Sequence, residues 1–316
     1  MIRAVILDGA TLGDDVSFSS LRAVCDLTVY PLTAPHEVAD RVRDANVVIV
    51  NKIKLNETNL AEADALKLIC VAATGYDNID LAYCRSRGVA VCNVVGYSTN
   101  SVAQLTVAMV LQLVFHLPVF TDFVKSGAYS ASGVANRLTP AFGEIAGKTW
   151  GILGAGNIGR QVARVAEAFG CRVIVCRRTP DPDYPTVDVD TLCREADILS
   201  VHTPLTDDTR GIISRERIAA MKPGAIFVNV ARGAVADEAA LADAVREGRL
   251  GGIGIDVYTE EPFSETHPLY TVRDLPNVCL TPHMAWGAFE ARQRCLDEIA
   301  ENIRAHFAGE RRSHVD

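Results

Sequence analysis

The chain has 316 residues, of which 49% are hydrophobic and 22% are charged. A chain of this length and composition can bury substantial cores, and it favours a globular protein of two domains. Its formal net charge of −8 argues against nucleic acid or an anionic membrane surface as the main partner, because both bind basic surfaces. Anionic ligands must therefore be held by local groups.

Nine cysteines are spread along the chain without a C-x-x-C pair or the spacing of a zinc site. We expect them to be small buried thiols in a reducing cytosol, and we expect no metal site. The first eight residues are too short and too soon interrupted by charge to form a signal peptide. The longest apolar stretch, 107–120, contains Gln112 and His116, so no membrane span is predicted. These features together predict a cytoplasmic protein.

Short runs rich in valine and isoleucine alternate with longer amphipathic segments from residue 3 onward. Such regular alternation predicts a parallel sheet covered by helices on both faces, which is an α/β domain. The predicted strands are Val5–Leu7, Leu27–Tyr30, Val47–Val50, Leu68–Val71 and Val89–Cys92.

Residues at the ends of two of these strands are candidates for binding a substrate, because ligands bind beyond the carboxyl ends of parallel strands. The backbone N–H groups of Thr74 and Gly75 could form a nest for a carboxylate. The alternative is an ordinary turn in which Asp80 only caps the following helix, and the sequence leaves both open. Lys52 ends the preceding strand on the same edge, where it faces a substrate carboxylate or is simply solvated.

The stretch 148–165 organises the rest of the chain. An apolar run turns at Gly154, Gly156 and Gly159 into residues at helical spacing, and a second apolar run, 171–176, follows. Glycines at this spacing allow a tight turn, let backbone N–H groups approach a pyrophosphate and let the helix pack on the strand. The N-terminus of that helix then faces an anion. This context predicts a dinucleotide site in the middle of the chain.

Further strand-like runs at 197–202, 225–230, 252–257 and 278–280 end in polar or charged residues. Arg232, Glu261 and His283 follow three of these strands and should lie at one edge of the sheet, as a catalytic cleft requires. Each alone has an ordinary explanation, either a surface charge or a histidine satisfied in the core, so the prediction rests on their conjunction. The residues expected to bind the cofactor are Gly154, Gly156, Asn157, Ile158, Gly159, Arg177, Arg178, His202, Thr203, Pro204, Val230, Ala231 and Asp256.

The two predicted domains are interleaved along the chain. A polar cap at 98–101 begins an apolar helix over 102–114, and a long irregular segment, 126–144, follows. Apolar surface of this kind suggests packing on a second subunit. No further strand of the nucleotide-binding sheet follows 278–280, so we expect the amphipathic stretch 286–308 to pack on the first domain. We predict a substrate domain of 1–98 and 284–316 and a dinucleotide-binding domain of 99–283, with a dimerisation helix and loop at 101–144.

These residues as an ordered set resemble the D-2-hydroxyacid dehydrogenase family. The resemblance covers nearly the whole chain, and it rests on the motifs 73–80, 101–104, 154–159, 221–233, 256–262 and 281–283. It implies a Rossmann domain inserted into a discontinuous, flavodoxin-like substrate domain. Ala285-Trp286 and Asn51-Lys52 look most like the glycerate dehydrogenase or hydroxypyruvate (glyoxylate) reductase branch.

The implied activity is NAD(P)-dependent interconversion of a small 2-keto acid and a D-2-hydroxy acid. The resemblance implies that Arg232, Glu261 and His283 are catalytic and that Lys52, Thr74 and Gly75 bind substrate. Alternatives are a nucleotide-sensing corepressor on the same fold, or a phosphoglycerate or formate type of dehydrogenase, because fold does not settle function.

The expected cofactor follows from the end of the second nucleotide strand. Members of the family that use NAD carry an acidic residue there, whereas this chain has Arg177-Arg178. Arginine pairs with the 2′-phosphate of NADP(H), which favours that cofactor, and we expect Arg177 to carry this preference with Arg178 assisting. The alternative is that both arginines are solvated and that either cofactor is used.

Overall fold

The computed structural model describes residues 1–316, which divide into two compact units. One unit consists of Met1–Ser98 and Trp286–Asp316, and the other is Thr99–Ala285. The second crossing lies two residues beyond the predicted one. Met284 and Ala285 stay with the second unit because their backbone N–H groups each donate to the Asp256 carboxylate at 2.9 Å.

Strands and helices alternate along most of the chain. The strands are β1 (Arg3–Ile6), β2 (Asp26–Val29), β3 (Val47–Val50), β4 (Leu68–Val71), β5 (Ala90–Cys92), β6 (Thr149–Leu153), β7 (Arg172–Cys176), β8 (Ile198–Val201), β9 (Ile226–Asn229), β10 (Gly252–Ile255) and β11 (Val278–Leu280). The helices are α1 (Ser19–Arg22), α2 (Val38–Val42), α3 (Glu57–Leu60), α4 (Leu81–Ser86), α5 (Thr99–Phe115), α6 (Leu117–Lys125), α7 (Ala128–Ser132), α8 (Asn157–Ala168), α9 (Val189–Glu195), α10 (Arg215–Ala220), α11 (Glu238–Arg246) and α12 (Phe289–Phe307). Short 3₁₀ turns occur at Gly9–Leu12, Pro35–Glu37, Gly233–Val235 and Pro268–Val272.

The sheet of the first unit is parallel, with strand order β2-β1-β3-β4-β5. This is the flavodoxin-like order. β3 and β4 are buried on both faces, which explains why their sequences are continuous apolar runs. One face packs against α12 through Cys295, Leu296, Ile299 and Ile303, and the other packs against α2 and α3.

The sheet of the second unit is also parallel, with strand order β11-β10-β9-β8-β6-β7. Beyond β7, Thr186 makes a single parallel bridge to Val175. That bridge occupies the outer strand position of a Rossmann sheet. Trp150 and Phe227 are among the largest fully buried side chains of the core. The predicted α/β fold with two parallel sheets is confirmed.

The segment after α5 is more helical than the sequence predicted. His116, with φ of 50°, separates α5 from α6, and α7 lies inside the stretch expected to be irregular. The expectation was wrong there because Gly127 and Gly133, both at positive φ, mark the ends of a helix too short to show a periodicity. No residue of α6 or α7 is buried.

No single helix is both long and apolar enough to cross a membrane. The helices α5 and α6 are long and apolar enough only when they are taken together, and the chain bends by 65° between them.

Candidate active site

The glycine-rich turn joins β6 to α8 in the second unit. Gly154 has φ of 94°, and a Cβ there would lie 2.7 Å from the backbone nitrogen of Thr203. A Cβ at Gly159 would lie 2.2 Å from the carbonyl oxygen of Gly154. Gly156 is the N-cap of α8, and a Cβ there would meet nothing within 4 Å. The turn therefore has open space in front of the first N–H groups of a helix, which suits a pyrophosphate.

The end of β7 lies beside this turn, because the N–H of Gly154 donates to the carbonyl oxygen of Cys176 at 2.9 Å. The next residue, Arg177, pairs with the buried carboxylate of Asp181 at 2.7 Å. Arg160 of α8 pairs with the same carboxylate oxygen at 2.7 Å. Arg178 is exposed and lies outside these ion pairs.

Asp181 and Arg160 are site residues that the sequence did not reveal. Burial raises the pKa of Asp181, but the N–H of Asp183 and the two guanidinium groups outweigh it and lower the pKa below its ordinary value. The signal in the sequence was a carboxylate four residues after Arg177, at the far side of a Thr-Pro step. The structure turns that step so that the carboxylate folds back on the arginine.

His202 follows β8 and ends a buried polar chain. The indole N–H of Trp150 donates to the Ser200 hydroxyl oxygen at 2.9 Å, and Nε2 of His202 lies 2.9 Å from the same oxygen. The tautomer of the ring decides which atom donates in this contact, because a hydroxyl can accept two hydrogen bonds and donate one. Nδ1 is buried and has no partner in the protein. Burial lowers the pKa of His202 to about 3, so the ring is neutral.

This unsatisfied ring nitrogen belongs to a residue that packs on the glycine-rich turn, because a Cβ at Gly154 would lie 2.9 Å from the carbonyl oxygen of His202. Buried polar atoms without a partner are rare in native structures and call for a ligand or water. The orphaned Nδ1, the open position at Gly156 and the helix N-terminus fit a bound dinucleotide.

Arg232 follows β9 on a short loop that Asn229 holds. The Asn229 amide donates to the carbonyl oxygen of Arg232 at 2.9 Å and accepts from the N–H of Ala231 at 3.0 Å. Nη1 of Arg232 donates to the Ala231 carbonyl at 2.7 Å. Val230 is buried and Ala231 half-buried. Asn229 was missed by the sequence reasoning, although an amide that ends a fully buried strand is a signal that could have found it.

Glu261 and His283 form a pair. Nδ1 of His283 lies 2.7 Å from Oε2 of Glu261, and Oε1 of Glu261 accepts the N–H of Tyr258 at 3.0 Å. His283 has φ of 52°, a left-handed conformation that is uncommon outside glycine and often occurs at functional sites. The two residues come from the loops after β10 and β11.

Asp256, at the end of β10, holds the chain on which His283 lies. Its fully buried carboxylate accepts the Thr281 hydroxyl at 2.5 Å as well as the N–H groups of Met284 and Ala285. Burial raises the pKa of Asp256 even though these hydrogen bonds oppose the rise. Its contacts within the protein are with the segment around His283, and its contact with the cofactor stays a prediction.

In the first unit, Asp8 holds the loop that carries Lys52. The buried Asp8 carboxylate accepts the N–H of Lys52 at 2.7 Å and that of Asn51 at 3.0 Å. Burial raises the pKa of Asp8, and these hydrogen bonds oppose the rise. Lys52 is exposed. Asp8 was not singled out from the sequence, although a carboxylate directly after a buried strand was visible there.

Thr74 and Gly75 follow β4, which neighbours β3. The Thr74 hydroxyl donates to the Val94 carbonyl at 2.9 Å, and the Thr74 carbonyl accepts the Asn93 amide at 2.7 Å. These bonds leave the backbone N–H groups of Thr74 and Gly75 uninvolved. Asp80 does cap α4 by accepting the N–H of Tyr83 at 2.9 Å, so the cap and the carboxylate nest are compatible. Lys52, Thr74 and Gly75 thus lie at one sheet edge.

Comparison with known proteins supplies the family. Residues 107–285 match the model of the D-isomer specific 2-hydroxyacid dehydrogenase, NAD binding domain. The chain is 35% identical over 282 residues to a glycerate dehydrogenase of Methylorubrum extorquens, covering 89% of each chain. It is 30% identical to a hydroxypyruvate reductase of Blautia hydrogenotrophica, covering 98% of each.

Among solved structures, the chain resembles D-lactate dehydrogenase from Aquifex aeolicus complexed with NAD and lactic acid. The TM-score is 0.85 with 30% sequence identity, over 97% of this chain and 96% of the other. The fold, the glycine-rich turn and these similarities agree. The chain belongs to the D-isomer specific 2-hydroxyacid dehydrogenase family, enzymes that act with a nicotinamide dinucleotide.

Proposed function

We propose that this protein interconverts a small 2-keto acid and the corresponding D-2-hydroxy acid, with hydroxypyruvate, glyoxylate or glycerate as substrate. The observation that carries the proposal is the Glu261–His283 pair on the same sheet edge as Arg232. The names of the relatives support the substrate class, because glycerate dehydrogenase and hydroxypyruvate reductase describe opposite directions of one conversion.

Reduction of a 2-keto acid leaves negative charge on the former carbonyl oxygen, which then needs a proton. The nicotinamide dinucleotide supplies the hydride when bound. His283 donates the proton from Nε2 in reduction and accepts it there in oxidation, because Nδ1 is engaged with Glu261. Glu261 fixes the ring orientation and stabilises the protonated imidazole.

Arg232 orients the substrate. Its planar guanidinium can donate two parallel hydrogen bonds to the substrate carboxylate and keto oxygen, and it remains charged at any working pH. The anchored loop around Asn229 limits the freedom of the Arg232 backbone. In the first unit, the N–H groups of Thr74 and Gly75 and the ammonium of Lys52 are candidate groups for binding a carboxylate.

For the cofactor, we propose a preference for NADP(H). Arg177 and Arg178 follow β7, where this fold meets the adenosine ribose. No acidic residue follows the strand directly, and the nearest one, Asp181, is already paired with two arginines. The groups that would bind a 2′-phosphate are therefore the guanidinium of Arg178 and the part of the Arg177 guanidinium that is not paired with Asp181.

A homodimer built through 101–144 is part of the same proposal. The segment exposes Leu117, Val124, Val134, Leu138 and Phe142. Exposed apolar side chains concentrated in one segment favour an interaction site, and a two-fold dimer is the commonest assembly.

A reduction panel tests the proposal. Glyoxylate, hydroxypyruvate, pyruvate and phosphohydroxypyruvate are each assayed with NADPH and with NADH. We expect the highest kcat/KM for hydroxypyruvate or glyoxylate. Tight nucleotide binding with no turnover of any of the four acids would instead favour a nucleotide-sensing protein, and a maximum with phosphohydroxypyruvate would favour a phosphoglycerate dehydrogenase.

A further inference from the structure

A second acidic and imidazole pair, Glu238 and His267, is buried in the dinucleotide-binding unit. Oε2 of Glu238 lies 3.0 Å from Nε2 of His267, and the residues are only 7% and 5% exposed. The N–H of Leu269 donates to Nδ1 of His267 at 3.3 Å. Nδ1 is therefore the acceptor, and Nε2 carries the ring proton that is donated to Glu238.

The remaining hydrogen bonds of the Glu238 carboxylate go to one residue, Thr259. The Thr259 N–H donates to Oε1 at 3.1 Å, and its hydroxyl donates to Oε2. A buried carboxylate is tolerated when several donors satisfy it, and losing them is strongly unfavourable. Glu238 therefore fixes Thr259 by both its backbone and its side chain.

Thr259 follows directly after Tyr258, which contacts the loops that carry Glu261 and His283. The N–H of the preceding residue, Tyr258, holds Oε1 of Glu261 at 3.0 Å. The Tyr258 hydroxyl donates to the carbonyl of Thr281 at 2.9 Å, two residues before His283. Tyr258, which is joined to Thr259 by a peptide, thus contacts Glu261 through its N–H and the segment before His283 through its hydroxyl.

The loop of Arg232 packs on the same peptide. A Cβ at Gly233 would lie 2.1 Å from the carbonyl carbon of Tyr258 and 2.3 Å from the nitrogen of Thr259. Only glycine, which has no Cβ, allows the two backbones to approach so closely. The position of this one peptide therefore affects all three residues to which the proposed function gives a catalytic role.

We propose that Glu238 and His267 are positioning residues, which hold the Tyr258–Thr259 peptide and through it the orientation of Glu261 against His283. This inference rests on the proposed function, since it assigns a purpose to that pair. Neither residue contacts the substrate. Their effect is on the alignment of the proton donor, to which proton transfer is sensitive.

The test compares Glu238→Gln with Asp237→Ala. Asp237 is the neighbouring residue and caps α11 by accepting the N–H of Ala240 at 2.8 Å, so its loss lowers stability without touching Thr259. We expect Glu238→Gln to lower kcat at least about tenfold, with KM for the keto acid and the dissociation constant for NADPH within about twofold. This split between kcat and KM is expected because a displaced Glu261 misaligns the proton donor and leaves the binding groups in place. Asp237→Ala should lower Tm and leave kcat unchanged.

Two further measurements keep the inference falsifiable. If Glu238→Gln does not fold, Thr259→Val removes one hydrogen bond to the carboxylate at nearly constant shape and should change kcat in the same direction. The NMR chemical shifts of the His283 ring report the pair without turnover, and they should change in either variant. A fall in Tm with unchanged kcat and unchanged His283 chemical shifts would overturn the inference. An inactive wild-type protein would contradict the proposed function instead, and the chemical shifts would still decide whether Glu238 positions Glu261.

Discussion

The guanidinium of Arg177 lies 2.7 Å from the buried carboxylate of Asp181, four residues further along the chain. Because Arg160 shares that carboxylate, part of the positive charge after β7 is neutralised inside the protein. From the sequence, we expected Arg177 to dominate recognition of a 2′-phosphate. Because of these ion pairs, we expect Arg178 to have the larger share in the proposed recognition of the 2′-phosphate.

The first prediction concerns cofactor choice. Replacing Arg178 by Ala should lower affinity for NADPH and change that for NADH little, because only NADPH carries the phosphate. A charge-assisted hydrogen bond is worth about 1.5–3 kcal/mol, which corresponds to roughly ten- to a hundredfold in affinity. Arg177→Asp should also weaken NADPH and leave NADH equal or better. The measurement is kcat/KM with each cofactor.

Arg172→Ala is the matched control for cofactor choice. Arg172 is the first residue of β7, at the end of the strand opposite to Arg177, and it pairs with Glu195. Its loss should therefore not change the ratio of kcat/KM for NADPH to kcat/KM for NADH. Equal kcat/KM for NADPH and NADH in the unmodified protein would remove the assignment.

The second prediction is that His283→Ala loses turnover and retains cofactor binding. Proton donation is separate from the glycine-rich turn, so kcat should fall on the order of 10²-fold or more, while NADPH binding measured by fluorescence stays near wild type. His36→Ala, at an exposed histidine of the other unit, should leave both unchanged. Wild-type rates in the His283 variant would contradict the proton-donor role.

A third prediction is that Arg232→Lys is impaired even though the charge is kept. An ammonium group cannot make the planar pair of hydrogen bonds that a guanidinium makes. We expect kcat/KM for 2-keto acids to fall roughly ten- to a hundredfold. Arg215→Lys, at an exposed ion pair with Asp243, is the control. Normal kcat/KM with lysine at position 232 would show that the clamp is not needed.

The fourth prediction is an acid-sensitive stability that arises from His202. Burial lowers the pKa of His202 from 6.5 to about 3, so below pH 6.5 the unfolded chain binds a proton that the folded chain does not. The free energy of unfolding should therefore fall as the pH drops from about 6.5 towards 3, by up to about 1.4 kcal/mol per pH unit from this group.

Urea unfolding at several pH values measures this slope. His202→Asn should have a shallower loss of stability on the acid side, because it removes the group that only the unfolded state protonates. His36→Asn should keep the wild-type slope. Identical slopes for wild type and His202→Asn would mean that the ring is protonated in the folded protein.

A fifth prediction concerns assembly. Leu138 is 67% exposed on the segment proposed to form the dimer, and Leu32 is 69% exposed in the other unit. Light scattering should show a dimer for the wild-type protein. Leu138→Asp should shift it towards the monomer, because it places a charge in an apolar interface, whereas Leu32→Asp should not. A wild-type monomer at assay concentration would refute the dimer.

The sequence by itself determined the fold class and the catalytic candidates. Buried parallel strands need apolar residues on both faces, so the strands were visible as runs of valine and isoleucine with polar ends. The turn at Gly154 and Gly159 was also predictable from the sequence, because only glycine can occupy backbone that lies this close to its neighbours. The carboxyl ends of such strands share one edge, which is why Arg232, Glu261 and His283 could be grouped before any coordinates were known.

The tertiary structure alone decided which groups hold these residues in place. Glu238 binds Thr259, Asp256 binds the segment before and after His283, and Asp181 folds back on Arg177. Asp256 was a candidate from the sequence, but the partner of each carboxylate is set by how loops from different strands pack and not by spacing along the chain. A carboxylate is predictable as a strand end or a helix cap, but the donor it accepts from exists only once the loops have closed around it.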